Sequence, residues 1–216
     1  RIAAVGQSRR REEDQGERPH HPDGQRVEES RRAGKARTVD CGNHEVFPVS
    51  RAGYLDGWWR RFKYQPGRLV NRYVRPGDTV LDIGCGPGLF TLPIARRVGE
   101  NGKVIAADLQ EGMLEILREK AAQEGLLARI RLHKAEPHSL ALEYPGGIDV
   151  AFGCCVVHEV PDAARLMREV FSLLGPGGVF IIAEPKHEVP ADEFETTLAI
   201  AASAGFRRVG TPFVFR

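Results

Sequence analysis

The sequence predicts an α/β fold with a doubly wound, mostly parallel sheet. From residue 79 onward, short runs rich in β-branched residues alternate with stretches whose apolar residues recur at helical spacing. The run 148–153 is almost wholly apolar, which is typical of a strand covered by helices on both faces. A glycine loop at 84–88 joins the first strand to the first helix of this pattern. A loop of this kind at the carboxyl end of a strand indicates a ligand site.

Five runs fit the buried strands of a parallel sheet. The first is entered through the turn at 75–78, and the glycine- and proline-rich segment 175–178 predicts a stop before the fifth. A shorter β-rich stretch at 206–209, followed by 213–215, completes the pattern. We predict the five strands over 79–83, 103–107, 130–133, 148–153 and 179–183.

Helices fill the intervals between these strands. Gly99 and Gly125 end two of them, as glycines at helix ends commonly do, and Pro161 suits the first turn of a third. Helical segments are also expected before the sheet, at 58–62 and 67–74. The remaining helices are predicted over about 89–98, 111–124, 161–174 and 190–204.

Charge divides the chain into a tail and a folded part. Residues 1–40 contain ten Lys/Arg and eight Asp/Glu with few apolar residues. Such a segment cannot bury enough apolar surface to offset the entropy of ordering, so we predict a disordered charged tail over 1–40. We assign 41–75 to an amino-terminal helical lid and 76–216 to the domain that holds the sheet. The first residue is not Met, which suggests a fragment or an extended reading frame.

Composition narrows the classes of function and location. Basic residues of the tail are interleaved with acidic ones, which argues against a nucleic-acid-binding arm. No apolar stretch approaches the roughly 20 residues of a membrane span, and the amino terminus lacks the layout of a secretory signal. The four cysteines do not suggest a disulfide framework. We therefore expect a cytoplasmic protein.

The glycine loop differs from a dinucleotide-binding fingerprint. In that fingerprint the third glycine would stand at position 89, which is Leu89 here, and it comes one residue early instead. Asp82, just before the loop, offers nothing to a pyrophosphate but suits a ligand that carries an amino group. Asp108 ends the second strand, at the position where an acid accepts hydrogen bonds from ribose hydroxyls. Together these features favour a ligand with a ribose and an amino group and without a phosphate.

Four motifs, in the right order and spacing, resemble those of class I S-adenosylmethionine-dependent methyltransferases. The similarity is to the ubiquinone/menaquinone-biosynthesis branch and its small-molecule relatives, and it covers about 66–209. It implies a Rossmann-like sheet of seven strands, and we expect the last, antiparallel strand to be truncated because the chain stops at Arg216. The motifs lie at 80–88, 107–114, 148–153 with 157–162, and 173–180.

The resemblance also implies how the cofactor S-adenosylmethionine would be held. Asp82 would engage the ammonium of its methionine part, and Asp108 would hold the ribose hydroxyls. Leu109 and Met113 would flank the adenine. The full set implied to contact the cofactor is Asp82, Gly84, Cys85, Gly86, Gly88, Asp108, Leu109, Met113, Ala135, Glu136, Gly153 and Cys154.

Methyl transfer from a sulfonium depends mainly on holding the acceptor close to the methyl group. A general base is needed only where the acceptor holds its proton tightly. His158 follows the fourth strand and has the acidic neighbour Glu159, so we predict His158 as the catalytic residue. The alternative is that His158 orients this loop or caps the next helix. Glu184, Lys186 and His187, after the fifth strand, are further candidates.

Other functions remain open on the sequence alone. One is a binding module that keeps the cofactor without turnover, and another is an NAD(P)-dependent oxidoreductase, which Leu89 and Asp82 disfavour. The pair Cys154-Cys155, with Cys41 and His44, invites a metal or arsenic site. Zinc sites usually show two spaced pairs of ligands, so we predict no metal.

The expected partner is a small, partly apolar methyl acceptor. Neither nucleic acid nor a membrane span is expected. Trp58, Trp59 and Phe62 either shape an apolar acceptor pocket or pack in the core.

Overall fold

The computed structural model describes residues 1–7 and 64–210, in which strands and helices alternate. The strands are β1 (Ile2–Gly6), β2 (Thr79–Ile83), β3 (Lys103–Asp108), β4 (Ile130–Lys134), β5 (Ile148–Cys154), β6 (Leu174–Ala183) and β7 (Arg207–Gly210). The helices are α1 (Pro66–Tyr73), α2 (Thr91–Val98), α3 (Glu111–Gln123), α4 (Ala163–Leu173) and α5 (Ala191–Ser203), with 3-10 turns at Leu127–Arg129 and Val157–Glu159. Within these described ranges, no helix has the length and hydropathy needed to cross a membrane.

The sheet has the order β4-β3-β2-β5-β6-β1-β7. Strands β2, β3, β4, β5 and β6 all run in the same direction, whereas β1 is antiparallel to its two neighbours, β6 and β7. The chain runs outward from β2 to β4 and then returns to place β5 on the other side of β2, so the strand order reverses between β2 and β5. Ligands bind at such a reversal, beyond the carboxyl ends of the strands. The predicted α/β fold with a mostly parallel sheet is confirmed.

Strand β1 corrects two sequence-based expectations. The disordered tail predicted over 1–40 is wrong for 2–6, because the short apolar run pairs with β6 from Ile2↔Ala183 to Gly6↔Val179 and is buried there. The resemblance led us to expect a truncated antiparallel strand in this sheet. In the structure, β1 occupies the antiparallel position beside β6, and the described sheet has seven strands. Residues 8–63 and 211–216 lie outside the described residues, and with them most of the predicted tail and lid, the segment 58–62 and the stretch 213–215.

The glycine-rich segment at 175–178 lies inside β6 and not before it. The register with β5 jumps from Ile148↔Leu174 to Val150↔Val179, so these residues bulge out of the ladder. Gly177 has a φ of 79°, a conformation that a side chain disfavours. The predicted stop is therefore a bulge within one strand.

Apolar side chains of the central strands alternate between two cores, one on each face of the sheet. Ile181 of β6 packs in the core beneath α1, α2 and α3, whereas its neighbours Phe180 and Ile182 pack in the core beneath α4 and α5. Side chains fully buried on both faces explain why these strands read as continuous apolar runs. The rigid three-layer frame fixes the strand ends from which the site is built.

Candidate active site

One cavity of about 670 Å³ opens at the carboxyl ends of β2, β3 and β5. Its size lies within the range of small-molecule and cofactor sites. We call its wall at 82–87, 107–110 and Met113 the glycine-loop side, and its wall at Tyr64, Val156, 159–160 and 187–188 the β6 side. Of the residues that the sequence assigned to the cofactor, those that line the cavity are Asp82, Gly84, Cys85, Gly86, Asp108, Leu109, Met113, Ala135, Glu136 and Cys154.

The glycines of the loop are required by its backbone conformation. Gly84 and Gly86 have φ values of 64° and 50°, in the region that side chains rarely adopt. A Cβ added at Gly84 would lie 2.6 Å from Cγ2 of Val156, so the loop also depends on close packing against the β6 side. The backbone therefore reaches the cavity without a side chain in front of it.

Gly88 and Gly153 are predicted cofactor residues that do not line the cavity. Gly88 has a φ of 99°, and a Cβ there would lie 2.7 Å from Cδ1 of Leu117 in α3. A Cβ added at Gly153 would lie 3.1 Å from the ring of Phe180. Both glycines allow close helix and strand packing behind the cavity wall.

Asp108 is held at the end of β3 by two backbone amides. Gly86 N–H donates to its Oδ2 and Gln110 N–H donates to its Oδ1, each at 2.8 Å. The side chain is buried but lines the cavity, and burial raises its pKa despite these hydrogen bonds. Each carboxylate oxygen keeps a second lone pair, so the group can still accept two hydrogen bonds from a diol.

Asp82 is a buried carboxylate at the end of β2. It is 2% exposed, and its Oδ2 accepts a hydrogen bond of 2.6 Å from Thr91 Oγ1 at the start of α2. Burial raises the pKa of Asp82 to about 7, with a smaller contribution from the charge of Asp108. A buried acid facing a cavity gains most from a cationic ligand, because the cation offsets the cost of desolvating the charge.

The glycine-loop side fits S-adenosylmethionine by the chemistry of its groups. It offers a carboxylate for an ammonium at Asp82, a paired acceptor for ribose hydroxyls at Asp108, and bare backbone between them. Leu109 and Met113 supply apolar side chains on the α3 wall of the cavity, which suits the faces of an adenine ring. A buried acid directly before the loop, such as Asp82, would repel a pyrophosphate.

On the β6 side, Glu184 holds the segment that follows β5. Glu184 is 2% exposed and directly follows β6. Its Oε1 accepts from the backbone amides of Val157 (2.9 Å) and His158 (3.3 Å), and its Oε2 accepts from Nδ1 of His158 (2.6 Å). Three hydrogen bonds to one buried carboxylate fix both the backbone and the imidazole, since a charged acceptor strengthens each of them.

His158 is not among the residues that line the cavity. Its Nδ1 is bound to Glu184, and its Nε2 lies 3.3 Å from Oε2 of Glu188, which does line the cavity. Burial lowers the pKa of His158, but the hydrogen bond and charge of Glu184, aided by Glu159 and Glu188, outweigh burial and raise it. No sequence signal pointed to this pairing, because the residues are far apart along the chain.

The other candidates after β6 have different positions. His187 and Glu188 line the cavity, and Nε2 of His187 lies 2.9 Å from Oε1 of Glu188. Lys186 is exposed, and its carbonyl accepts a hydrogen bond of 3.4 Å from the Arg1 guanidinium. Lys186 is not among the residues that line the cavity.

Cys154 and Cys155 line the cavity between its two sides. Cys155 has a φ of 57°, unusual for a residue with a side chain, and its amide donates to Ala183 O at 2.7 Å. Its Sγ lies 3.1 Å from Oη of Tyr64, a cavity residue that the sequence pattern did not single out. The remaining members of the suggested cysteine cluster, Cys41 and His44, and the aromatic candidates at 58, 59 and 62 lie outside the described residues.

A family model described as a methyltransferase domain matches residues 75–204, well over half of the chain. This match covers the glycine loop, the acids at the ends of β2 and β3, and the segment held by Glu184. The chain therefore belongs to the methyltransferase domain family, and its fold is that of the class I S-adenosylmethionine-dependent methyltransferases.

Individual relatives agree with the branch that the motifs indicated. The chain is 34% identical over 140 residues to the demethylmenaquinone methyltransferase of Symbiobacterium thermophilum, covering 63% of this chain and 51% of that protein. It is 32% identical over 128 residues to the ubiquinone/menaquinone biosynthesis C-methyltransferase of Proteus mirabilis, covering 58% and 48%. The chain thus spans about half the length of the curated relatives it matches.

Among solved structures, a SAM-dependent methyltransferase from Aquifex aeolicus is similar to this chain. The two superpose with a TM-score of 0.67 at 28% sequence identity, over 75% of this chain and 90% of that one. The agreement of family, relatives and fold confirms the resemblance inferred from the four motifs.

Proposed function

We propose that this protein transfers a methyl group from S-adenosylmethionine to a small-molecule acceptor by in-line displacement. The observation that carries the proposal is the pair of buried acids, Asp82 and Asp108, on either side of a glycine loop that leaves the backbone bare. A methyl donor of this kind has a cationic amino acid part and a ribose, and no phosphate. These are the groups that the glycine-loop side can satisfy.

In this proposal the glycine-loop side binds and orients the cofactor. Asp82 engages the ammonium, Asp108 holds the ribose diol, and Leu109 with Met113 flanks the adenine. Ala135 and Glu136 lie near the adenine amine, and Cys154 lies at the methyl-donor end. Gly84, Cys85 and Gly86 border the methionine part, while Gly88 and Gly153 support the wall from behind.

When bound, S-adenosylmethionine supplies an electrophilic methyl group on a sulfonium. The residues of the β6 side then hold the acceptor in line with that methyl group and exclude water from the cavity. Positioning of this kind supplies much of the acceleration of a displacement, because it removes translational and rotational freedom in advance.

His158 takes part in this proposal as a proton-holding residue behind the cavity wall. Glu188 faces the cavity and lies 3.3 Å from Nε2 of His158, so a proton taken from the acceptor by Glu188 has a neighbouring base to receive it. The hydrogen bond and charge of Glu184 raise the pKa of His158, which strengthens the neutral imidazole as a proton acceptor. His158 acts through Glu188 and does not touch the acceptor.

The proposal includes a cytoplasmic location and no nucleic-acid partner. The composition supports both, because the cysteine spacing does not suggest a disulfide framework and charges of both signs are interleaved. Demethylmenaquinone is the acceptor in the name of one relative, and quinols therefore belong in the first panel of acceptors.

The test is an assay of S-adenosylhomocysteine formation over a panel of quinols, phenols, amines and thiols. We expect acceptor-dependent turnover with at least one class, and its loss in Asp108→Ala. Tight binding of S-adenosylmethionine with no turnover over the whole panel would favour the binding module instead. If His158→Ala retained full turnover at all pH values, the proton-holding role of His158 would be wrong.

A further inference from the structure

Glu159 stands apart from the other acids of the cavity wall. It belongs to the 3-10 turn Val157–Glu159 on the β6 side, lines the cavity and is half-buried. Among the described residues, no hydrogen bond or ion pair engages its carboxylate. Burial raises its pKa, and the nearby charges of Glu184 and Glu188 add to this effect although His158 opposes it.

The remaining carboxylates of the wall have partners or face solvent. Asp162 caps α4 by accepting from the Arg165 amide, and Glu169 accepts from Ser139 Oγ and the Leu140 amide. Glu188 lies within ion-pair distance of His158 and His187. Asp82 and Asp108 accept the hydrogen bonds described above, and Glu136 is exposed. Glu159 is thus the half-buried acid of the described wall whose carboxylate oxygens are left to accept hydrogen bonds from a ligand.

The charge of the described part of the wall points in the same direction. Among residues 64–210, the lining includes several carboxylates and two histidines but no lysine or arginine. An anionic acceptor would lose its hydration and find no cation among these residues, whereas a cationic acceptor would relieve the cost of burying Glu159 beside other acids. Val156, Val160 and Pro161, close to Glu159 in sequence, add apolar groups to the lining, and charges beside apolar groups are screened less by water.

We propose that Glu159 recognises the methyl acceptor, and that the acceptor presents to it an amine, neutral or protonated, and not an anionic group. This inference rests on the proposed function, because it identifies the class of molecule that the β6 side admits. Glu184 and His158 are positioning residues for Glu159. Their hydrogen bonds fix the turn from which its side chain enters the cavity.

The experiment is a fragment screen on protein saturated with S-adenosylhomocysteine. The library contains amines, alcohols and carboxylates in equal numbers on the same aromatic skeletons, and binding is followed by ligand-observed NMR. We expect amines to bind about tenfold more tightly than the matching carboxylates. Glu159→Gln should abolish that preference without weakening the binding of S-adenosylhomocysteine. Glu143→Gln, which removes an equal charge from an exposed position outside the cavity, is the matched control and should keep the preference.

Each outcome separates this inference from the function on which it rests. If S-adenosylhomocysteine fails to bind, the proposed function itself fails. If it binds but carboxylates match or exceed amines, the inference about Glu159 is wrong and the proposed function stands. The inference is equally contradicted if no fragment binds, or if Glu159→Gln keeps the full preference for amines.

Discussion

The two sides of the cavity are built in different ways. The glycine-loop side consists of short contiguous segments after β2 and β3, in which backbone conformation places the functional groups. The β6 side is assembled from segments after β5 and β6 that meet only in the folded chain, through the carboxylate of Glu184. The first kind of site can be recognised from a motif, whereas the second depends on tertiary hydrogen bonds. We therefore expect substitutions on the β6 side to change stability and acceptor binding, and substitutions on the glycine-loop side to change cofactor binding.

The largest effect is expected where one buried carboxylate organises the β6 side. Glu184→Ala leaves the amides of Val157 and His158 and the imidazole without their acceptor, and should lower the free energy of unfolding by about 3 kcal/mol. Glu184→Gln, which keeps an acceptor oxygen, should cost about 1 kcal/mol. Urea denaturation measures both. Equal losses in the two variants would mean that the hydrogen bonds to Glu184 do not organise this side.

The next largest effect belongs to the glycine-loop side. Asp108→Ala removes the acceptor for the ribose hydroxyls and should weaken S-adenosylmethionine binding roughly 100-fold, as expected for loss of hydrogen bonds to a charged group. Isothermal titration calorimetry measures the change, with the exposed α3 variant Glu115→Gln as a control that keeps the wild-type affinity. An affinity within threefold of wild type in Asp108→Ala would remove this residue from the cofactor site.

A third substitution tests the contact between the two sides. Gly84→Ala places a Cβ 2.6 Å from Val156 at a φ of 64°, and should cost about 2 kcal/mol of stability. Val156→Ala in the same protein removes the closer contact, Cγ2 at 2.6 Å, but keeps its own Cβ at 2.9 Å, so it should recover only part of the loss. Thermal denaturation of the two single variants and the double variant gives the coupling. If the losses of stability in the two single variants simply add up in the double variant, the two sides are not in steric contact at these residues.

The smallest effect is a pH dependence of cofactor affinity. The pKa of Asp82 is raised to about 7 by burial, and a cationic ligand favours the ionised carboxylate. Affinity for S-adenosylmethionine should therefore rise as the pH increases through about 7, and fall again above about 8 where an α-amino group loses its proton. Without ligand, the same raised pKa makes the protein less stable as the pH rises from the unfolded value of 3.8 through about 7.

Asp82→Asn is the control for this dependence. The variant should lose the rise near pH 7 and keep the fall at higher pH, because Asp82 no longer titrates while the ammonium of the ligand still does. Calorimetric titrations in buffers of different ionisation enthalpy also report proton release, which should occur on binding to the wild type and not to the variant. A pH-independent affinity in the wild type would contradict the contact between Asp82 and the ammonium.

The sequence predicted the parallel sheet and most of the glycine-loop side because both depend on local patterns. Strand bounds follow from apolar runs, and the loop conformation follows from its glycines. The sequence did not predict β1, since a five-residue apolar run at the start of a charged segment gains stability only by pairing with β6 and β7. It named His158 as the catalytic candidate, but it did not predict that Glu184 binds the imidazole or that Glu159 lines the cavity, because both depend on how the segments after β5 and β6 meet in the fold.

The central claim is that the acids and glycines at the ends of β2 and β3 form a site for a methyl donor and not for a dinucleotide. Titration calorimetry of the same protein with S-adenosylmethionine and with NADH, at neutral pH, tests it most directly. We expect micromolar binding of S-adenosylmethionine and no measurable binding of NADH, because Asp82, buried beside the glycine loop, repels a pyrophosphate. Micromolar binding of NADH without binding of S-adenosylmethionine would contradict the account.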